Sequence, residues 1–322
     1  MTNFDKINRV KAMQISDNAL NVLAAKTYKG IGRKWINDNL RGGMTEQRIV
    51  DLLNAKGIAE SVRGFALTKM SVRAKIESLG SSVDGVVGLG DPEFPAVNSR
   101  VKAADRPIAL FYRGDISLLK NIGSNVAVIG LLTPDEAIRA DEEKLVAGLV
   151  RQGKCIVSGL ALGCDTVGHE TAVKNAGKTV AFLSSPLSEV NPPSNRPLAD
   201  EIVAKGGLLV SEYYEKAHSR SEFLGRYPER DRLQAMFAGA VVLAASYSQS
   251  DFGRDSGSRF AMGKAAEYGV PRYVMYNAER DSLNPMFNLS REEVRTGAKI
   301  VTPDGADRVS SVQTGAQLEL AI

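Results

Sequence analysis

Cysteine, histidine and tryptophan are all scarce in this chain, whose 322 residues include 2 Cys, 2 His and 1 Trp. Cys155 and Cys164 make no disulfide framework, so a reducing cytoplasm is the expected compartment. His169 follows Cys164 by five residues, yet no second pair of ligands follows, and no metal site is expected. Long apolar runs are missing too. No stretch reaches the roughly 20 continuous apolar residues of a membrane helix, and the opening segment, Met1 to Gln14, holds no apolar signal-peptide core. Neither a membrane partner nor secretion is expected.

What is present is ordinary globular composition, 43% hydrophobic and 24% charged. The length suits one large domain with a smaller companion. The net charge of +4 is unevenly spread: residues 1–82 hold 14 Lys+Arg against 7 Asp+Glu, and the remainder is slightly acidic. A basic small domain beside a near-neutral large one suits contact with a polyanion; equally, such residues keep a small helical domain soluble. Helical spacing of Ala19, Leu20, Val22, Leu23 and of Ile49, Leu52, Leu53 predicts a helical domain over 1–82. Between these runs Gly30 and Gly32 flank Ile31, with Lys29, Arg33 and Lys34 around them. Two glycines so placed serve a tight interhelical turn. They also bare backbone N–H groups at a helix start, in the manner of a helix-hairpin-helix phosphate clamp. Both readings stand.

Over 83–122, proline and glycine punctuate short apolar runs, predicting an extended connector with a strand at 108–112. From 123 to 305 two patterns alternate. Strands are expected at 126–129, 155–158, 179–183, 208–211, 241–245 and 273–276, and helices at 134–151, 165–176, 196–205, 229–238 and 257–268. Short apolar strands between amphipathic helices mean an α/β fold, a Rossmann-like parallel sheet with helices on both faces. Residues 306–322 are expected to be a tail.

Ligands of such sheets lie beyond the carboxyl ends of the strands. The loop after the first strand has one glycine, Gly130, where a dinucleotide fingerprint needs three, so no nicotinamide cofactor is expected. The loop Ser158-Gly159-Leu160-Ala161-Leu162-Gly163-Cys164-Asp165 permits close backbone approach and opens a helix that offers N–H groups to an anion. Asp165 also fits as a plain cap. Arg226, Arg230 and Arg232 suit phosphate oxygens, while Glu229 and Asp231 among them suit an internal ion-pair network. Ser256, Gly257 and Ser258 open a helix as an anion nest. Cys164, at a helix start, fits either a lowered pKa or a small residue near the cap. Ser158 and Ser211 lack a nucleophile elbow and no catalytic constellation emerges, so a binding protein is expected rather than an enzyme.

The order of segments is itself informative. Asp91-Pro-Glu-Phe-Pro95, Phe111-Tyr-Arg-Gly114-Asp115, Val128-Ile-Gly130, Ser158-Gly159-x-Ala161-x-Gly163-x-Asp165 with His169, Pro193-x-Asn195, Ser211-Glu212, Arg230-x-Arg232 and Ser256-Gly257-Ser258 together resemble the DprA/Smf DNA-processing family. The resemblance runs from about residue 20 to about residue 278. It implies a Rossmann-like domain behind a small helical domain of the SAM or helix-hairpin-helix kind. It further implies single-stranded DNA binding, delivery of the strand to a RecA-type recombinase in DNA uptake and recombination, self-association as a dimer, and no cofactor. By position, the DNA pocket would involve Gly130, Ser158, Gly159, Gly163, Lys178, Arg230, Arg232, Ser256, Gly257 and Ser258. The chain departs from the family pattern at Leu131 and Leu132, at Leu162 and at Asp231, where Ser-Arg, Arg and Asn are usual. Each departure removes positive charge or adds negative charge where a phosphate would sit, costing roughly 0.7 of the salt slope per lost contact on a single strand. A pocket so altered also suits a base or ribose, which keeps open a nucleotide sensor or nucleotide-processing enzyme on the same fold.

Overall fold

The computed structural model describes residues 13–251, 254–255 and 257–311. Strand β1 (Gln14–Ile15) leads into four helices, α1 (Asp17–Lys26), α2 (Arg33–Asn39), α3 (Glu46–Ala55) and α4 (Val62–Glu77). The hydroxyls of Ser16, Thr45 and Ser61 accept from the backbone N–H three residues on, capping α1, α3 and α4. The remainder runs β2 (Gly85–Gly88), β3 (Ala109–Gly114), β4 (Asn125–Ile129), α5 (Glu136–Arg151), β5 (Cys155–Ser158), α6 (Cys164–Lys174), β6 (Thr179–Leu183), α7 (Arg196–Ala204) and β7 (Leu208–Ser211). After these come α8 (Arg220–Met236), β8 (Ala240–Leu243), α9 (Arg259–Tyr268), β9 (Arg272–Met275), α10 (Ala278–Asp281), α11 (Asn288–Arg295) and β10 (Lys299–Val301).

All the described strands join one sheet in the order β1-β2-β3-β7-β6-β5-β4-β8-β9-β10. Pairing is parallel except where β3 meets β2 and β7. From β4 the chain builds outward through β5, β6 and β7, then returns to lay β8 on the other side of β4. This reversal is the switch point, where a crevice opens beyond the carboxyl ends. Strands β4 to β8 are buried along their whole length, as the continuous apolar runs require of a sheet covered on both faces.

The stretch 83–122 supplies two strands, β2 and β3, to this sheet. One hydrophobic core joins Leu20, Ile36, Leu53 and Phe65 of the helical domain to Phe111, Ala181 and Leu209 of the sheet. Ala306 and Val309, in the range expected as a tail, are buried in the core beneath α5, whereas 312–322 lie outside the described residues. The helix expected at 229–238 begins earlier, at Arg220. Pro228 misleads the sequence reading: it withholds one N–H from Leu224, a single loss that a 17-residue helix capped by Ser219 tolerates. Among the described residues no helix is long and apolar enough to cross a membrane.

Candidate functional site

A cavity of about 460 Å³ lies at the switch point, beyond β4 and β5, between the starts of α6 and α9 and the middle of α8. Gly130, Gly159, Arg230, Gly257 and Ser258 all line it. Gly159 has no room for a side chain, since a Cβ there would stand 1.1 Å from Nη1 of Arg230. Arg230 itself is buried, with Nη1 3.5 Å from Asp165 and Nε 2.9 Å from Asp231. Ser258 donates to the Gly130 carbonyl at 3.1 Å, tying α9 to β4.

Two further expected residues shape the cavity from behind. Ser158 is fully buried and donates to the Val128 carbonyl at 2.7 Å. Gly163 adopts φ +72°, and a Cβ on it would meet the Leu131 carbonyl oxygen at 2.2 Å, so glycine alone lets this loop nest against the β4–α5 loop. Ser256 lies outside the described residues.

Lys178 is not brought to the cavity. It precedes β6, at the amino end of the strand, and its Nζ donates to the Lys205 carbonyl at 2.8 Å. Arg232 is not brought there either. Residues two apart on a helix face away from one another, so Arg230 turns to the cavity and Arg232 to the opposite side. There Arg232 contacts Glu212 at 2.5 Å and Glu229 at 3.2 Å. Arg33 completes that network by an ion pair with Glu229 at 2.5 Å and a hydrogen bond to the Ala104 carbonyl at 2.9 Å. The basic turn is therefore split: Arg33 clamps the helical domain to the body, Lys34 pairs with Asp38, and Lys29 and Gly30 are exposed. Gly30 has φ +84°, and Gly32 starts α2 from extended backbone.

The electrostatics are acidic. Among the described residues, Asp165, Asp231 and Asp255 share the cavity with one guanidinium, that of Arg230. Asp165 already accepts from the N–H groups of Gly159 (3.1 Å) and Ala161 (3.2 Å), and Asp255 from those of Leu132 (2.6 Å) and Gly257 (3.4 Å). The N–H groups of Gly159, Ala161, Leu132 and Gly257, four of those facing the cavity loops, are thus held internally by carboxylates. Burial, with repulsion from Asp165 and Asp255, raises the Asp231 pKa to about 6 against the pull of Arg230. His169 is buried and lowered to about 3, its Nδ1 2.6 Å from the Thr179 hydroxyl. The lowered-pKa reading of Cys164 is corrected: burial and the neighbouring Glu142 push its thiol up.

The family model for DNA recombination-mediator protein A matches residues 85–311, from β2 to the last described residue. The chain belongs to this family, DprA. Similar relatives include the DNA processing protein DprA of Streptococcus pneumoniae, 31% identical over 198 residues, which covers 62% of this chain and 64% of that one. Protein Smf of Synechocystis is 32% identical over 155 residues, 48% of this chain and 37% of the relative. The chain thus spans less than two thirds of the length of these relatives. Its fold is that of the solved Streptococcus pneumoniae DprA, with TM-score 0.70 at 24% identity over 91% of this chain and 97% of that one. A DprA structure from Helicobacter pylori, described for its single-stranded DNA binding mode, matches with TM-score 0.52 at 26% identity over 67% of this chain and 90% of that one.

Set in the DprA frame, the departures have distinct fates. Leu131 is buried in the core, whereas Leu132 and Leu162 line the cavity with 47% of their surface exposed. Sequence reasoning missed Tyr227, Asn191 and Gln234, which also line this DprA cavity. Tyr227 precedes Arg230 by one helical turn, a signal that was available once α8 is extended through Pro228. Gln234 is found the same way, one turn after Arg230, and Asn191 donates to the Tyr227 hydroxyl at 2.9 Å.

Proposed function

We propose that this chain binds single-stranded DNA by taking a base into the switch-point cavity, and that it serves DNA uptake and recombination by delivering the strand to a RecA-type recombinase. It does so as a homodimer, in the cytoplasm, by binding and without catalysis. The carrying observation is the cavity itself: apolar walls from Ile129, Leu132, Leu162 and Ala261, with Tyr227 and Arg230 among its polar groups. Every base has a flat face that such walls accept, whatever its sequence. The single-stranded DNA binding described for the Helicobacter pylori relative supports the reading. The recombinase and the dimer rest on family membership.

Fluorescence anisotropy of labelled oligo-dT across a salt series tests it. Binding is expected at low salt. Arg230→Ala, and Gly159→Ala through displacement of Arg230, are expected to weaken it about tenfold, roughly 1.4 kcal/mol, while Lys178→Ala stays near wild type. Absence of binding at low salt overturns the strand reading. A free nucleotide is the second reading, favoured by an apolar-walled cavity of about 460 Å³, and thermal stabilisation across a nucleotide panel tests it.

A further inference from the structure

Three carboxylates face the cavity, and they are not equivalent. Asp165 and Asp255 each accept two backbone N–H groups, which fixes them as parts of the loops. Asp231 has no such commitment. Its side chain is 12% exposed, and among the described residues its contact is the Arg230 guanidinium. An ionised carboxylate offers about four lone-pair sites, so most of its accepting capacity is turned to no protein group. Asn at this position would instead both donate and accept.

We propose that Asp231 selects the base taken into the cavity and makes that selection depend on pH. The inference rests on the base-binding reading above. Ionised, the carboxylate accepts only, and guanine presents it with two adjacent donors, the ring N1–H and the exocyclic amino group. Thymine offers one N–H between two carbonyls, which a carboxylate repels. Protonated, the group donates once and accepts once, as Asn does, and the advantage of guanine disappears. The charged groups that reach Asp231 are Arg230 on α8, Asp165 at the start of α6 and Asp255 ahead of α9; on the β4 and β5 sides the cavity presents the neutral Ile129, Gly130 and Gly159. Burial is what chiefly opposes ionisation, and repulsion from Asp165 and Asp255 adds to it against the pull of Arg230, which places the change near pH 6.

The test is anisotropy with oligo-dT strands that differ at one central position, dT, dG or deoxyinosine, at pH 7.5 and pH 5. A bidentate contact of this kind discriminates about tenfold. The dG strand is expected to bind about tenfold tighter than all-dT at pH 7.5, deoxyinosine to fall between them, and the difference to shrink to about twofold at pH 5. Asp231→Asn should show the small difference at both pH values. If all strands bind alike at pH 7.5, or if Asp231→Asn keeps the wild-type preference, the selection is overturned while strand binding stands. If no strand binds wild-type protein at either pH, the strand reading fails and the selection falls with it.

Discussion

Replacing Arg232 with alanine is expected to lower the unfolding free energy by about 3–5 kcal/mol, the usual cost of breaking a buried ion pair from one side. The guanidinium is 2% exposed and holds both oxygens of Glu212, at 2.7 and 2.5 Å. Without it Glu212, itself 10% exposed at its side chain, keeps Arg33 at 3.9 Å. A carboxylate so little exposed is poorly rehydrated once its buried partner is gone. Urea unfolding checks the size of the loss. Oligonucleotide affinity of the folded variant should stay within about twofold of wild type, because Arg232 faces away from the cavity. A destabilisation below about 1 kcal/mol, the range of an exposed pair, would sink the account.

Glu142 is expected to make the protein less stable as pH rises. The residue is fully buried on α5, and among the described residues its carboxyl is faced by the weakly donating Cys164 thiol and by no N–H or O–H donor within hydrogen-bonding geometry. Burial chiefly, with repulsion from Asp165 and Glu143, holds its pKa well above the ordinary 4.5. Below that ordinary value both the folded and unfolded chains carry the proton, and the full stability is present. Above it the unfolded chain releases the proton first, and each pH unit up to the folded pKa removes about 1.4 kcal/mol. Glu142→Met keeps the volume, removes the charge and leaves no orphaned oxygen. It should gain about 1–3 kcal/mol at neutral pH and nothing near pH 4. Urea midpoints across a pH series decide the matter. In the variant the loss from Asp231, which runs from its ordinary value up to about pH 6, is offset by buried His169, whose folded value of about 3 adds stability as pH rises towards its ordinary 6.5. A variant less stable than wild type at neutral pH refutes the reading.

Most of the sheet was legible because its strands are continuous apolar runs bounded by glycine and amphipathic helices. Strands β4 to β9 fall within two residues of where the pattern puts them. β2 was not legible: Gly85-Val86-Val87-Gly88 is four residues long and begins and ends in glycine, and only pairing with its neighbours β1 and β3 makes it a strand. The site was partly legible. Loop glycines announce close approach wherever they fall, which located Gly130, Gly159 and Gly163. Charge does not announce its direction. Arg230 and Arg232 look alike in the sequence and serve opposite sides of one helix, and the N–H groups of the loops looked available until Asp165 and Asp255 were seen to hold them.

Helix α8 presents Arg230 to the ligand on one side and Arg232 to the helical domain on the other, across a turn of chain two residues long. A lineage acquiring a different N-terminal module by recombination would inherit the acidic sockets Glu212 and Glu229 without the arginine that fills them from outside. Changes at Arg33 and at Glu229 are therefore coupled to each other, while the ligand cavity on the other side of α8 is left to vary on its own.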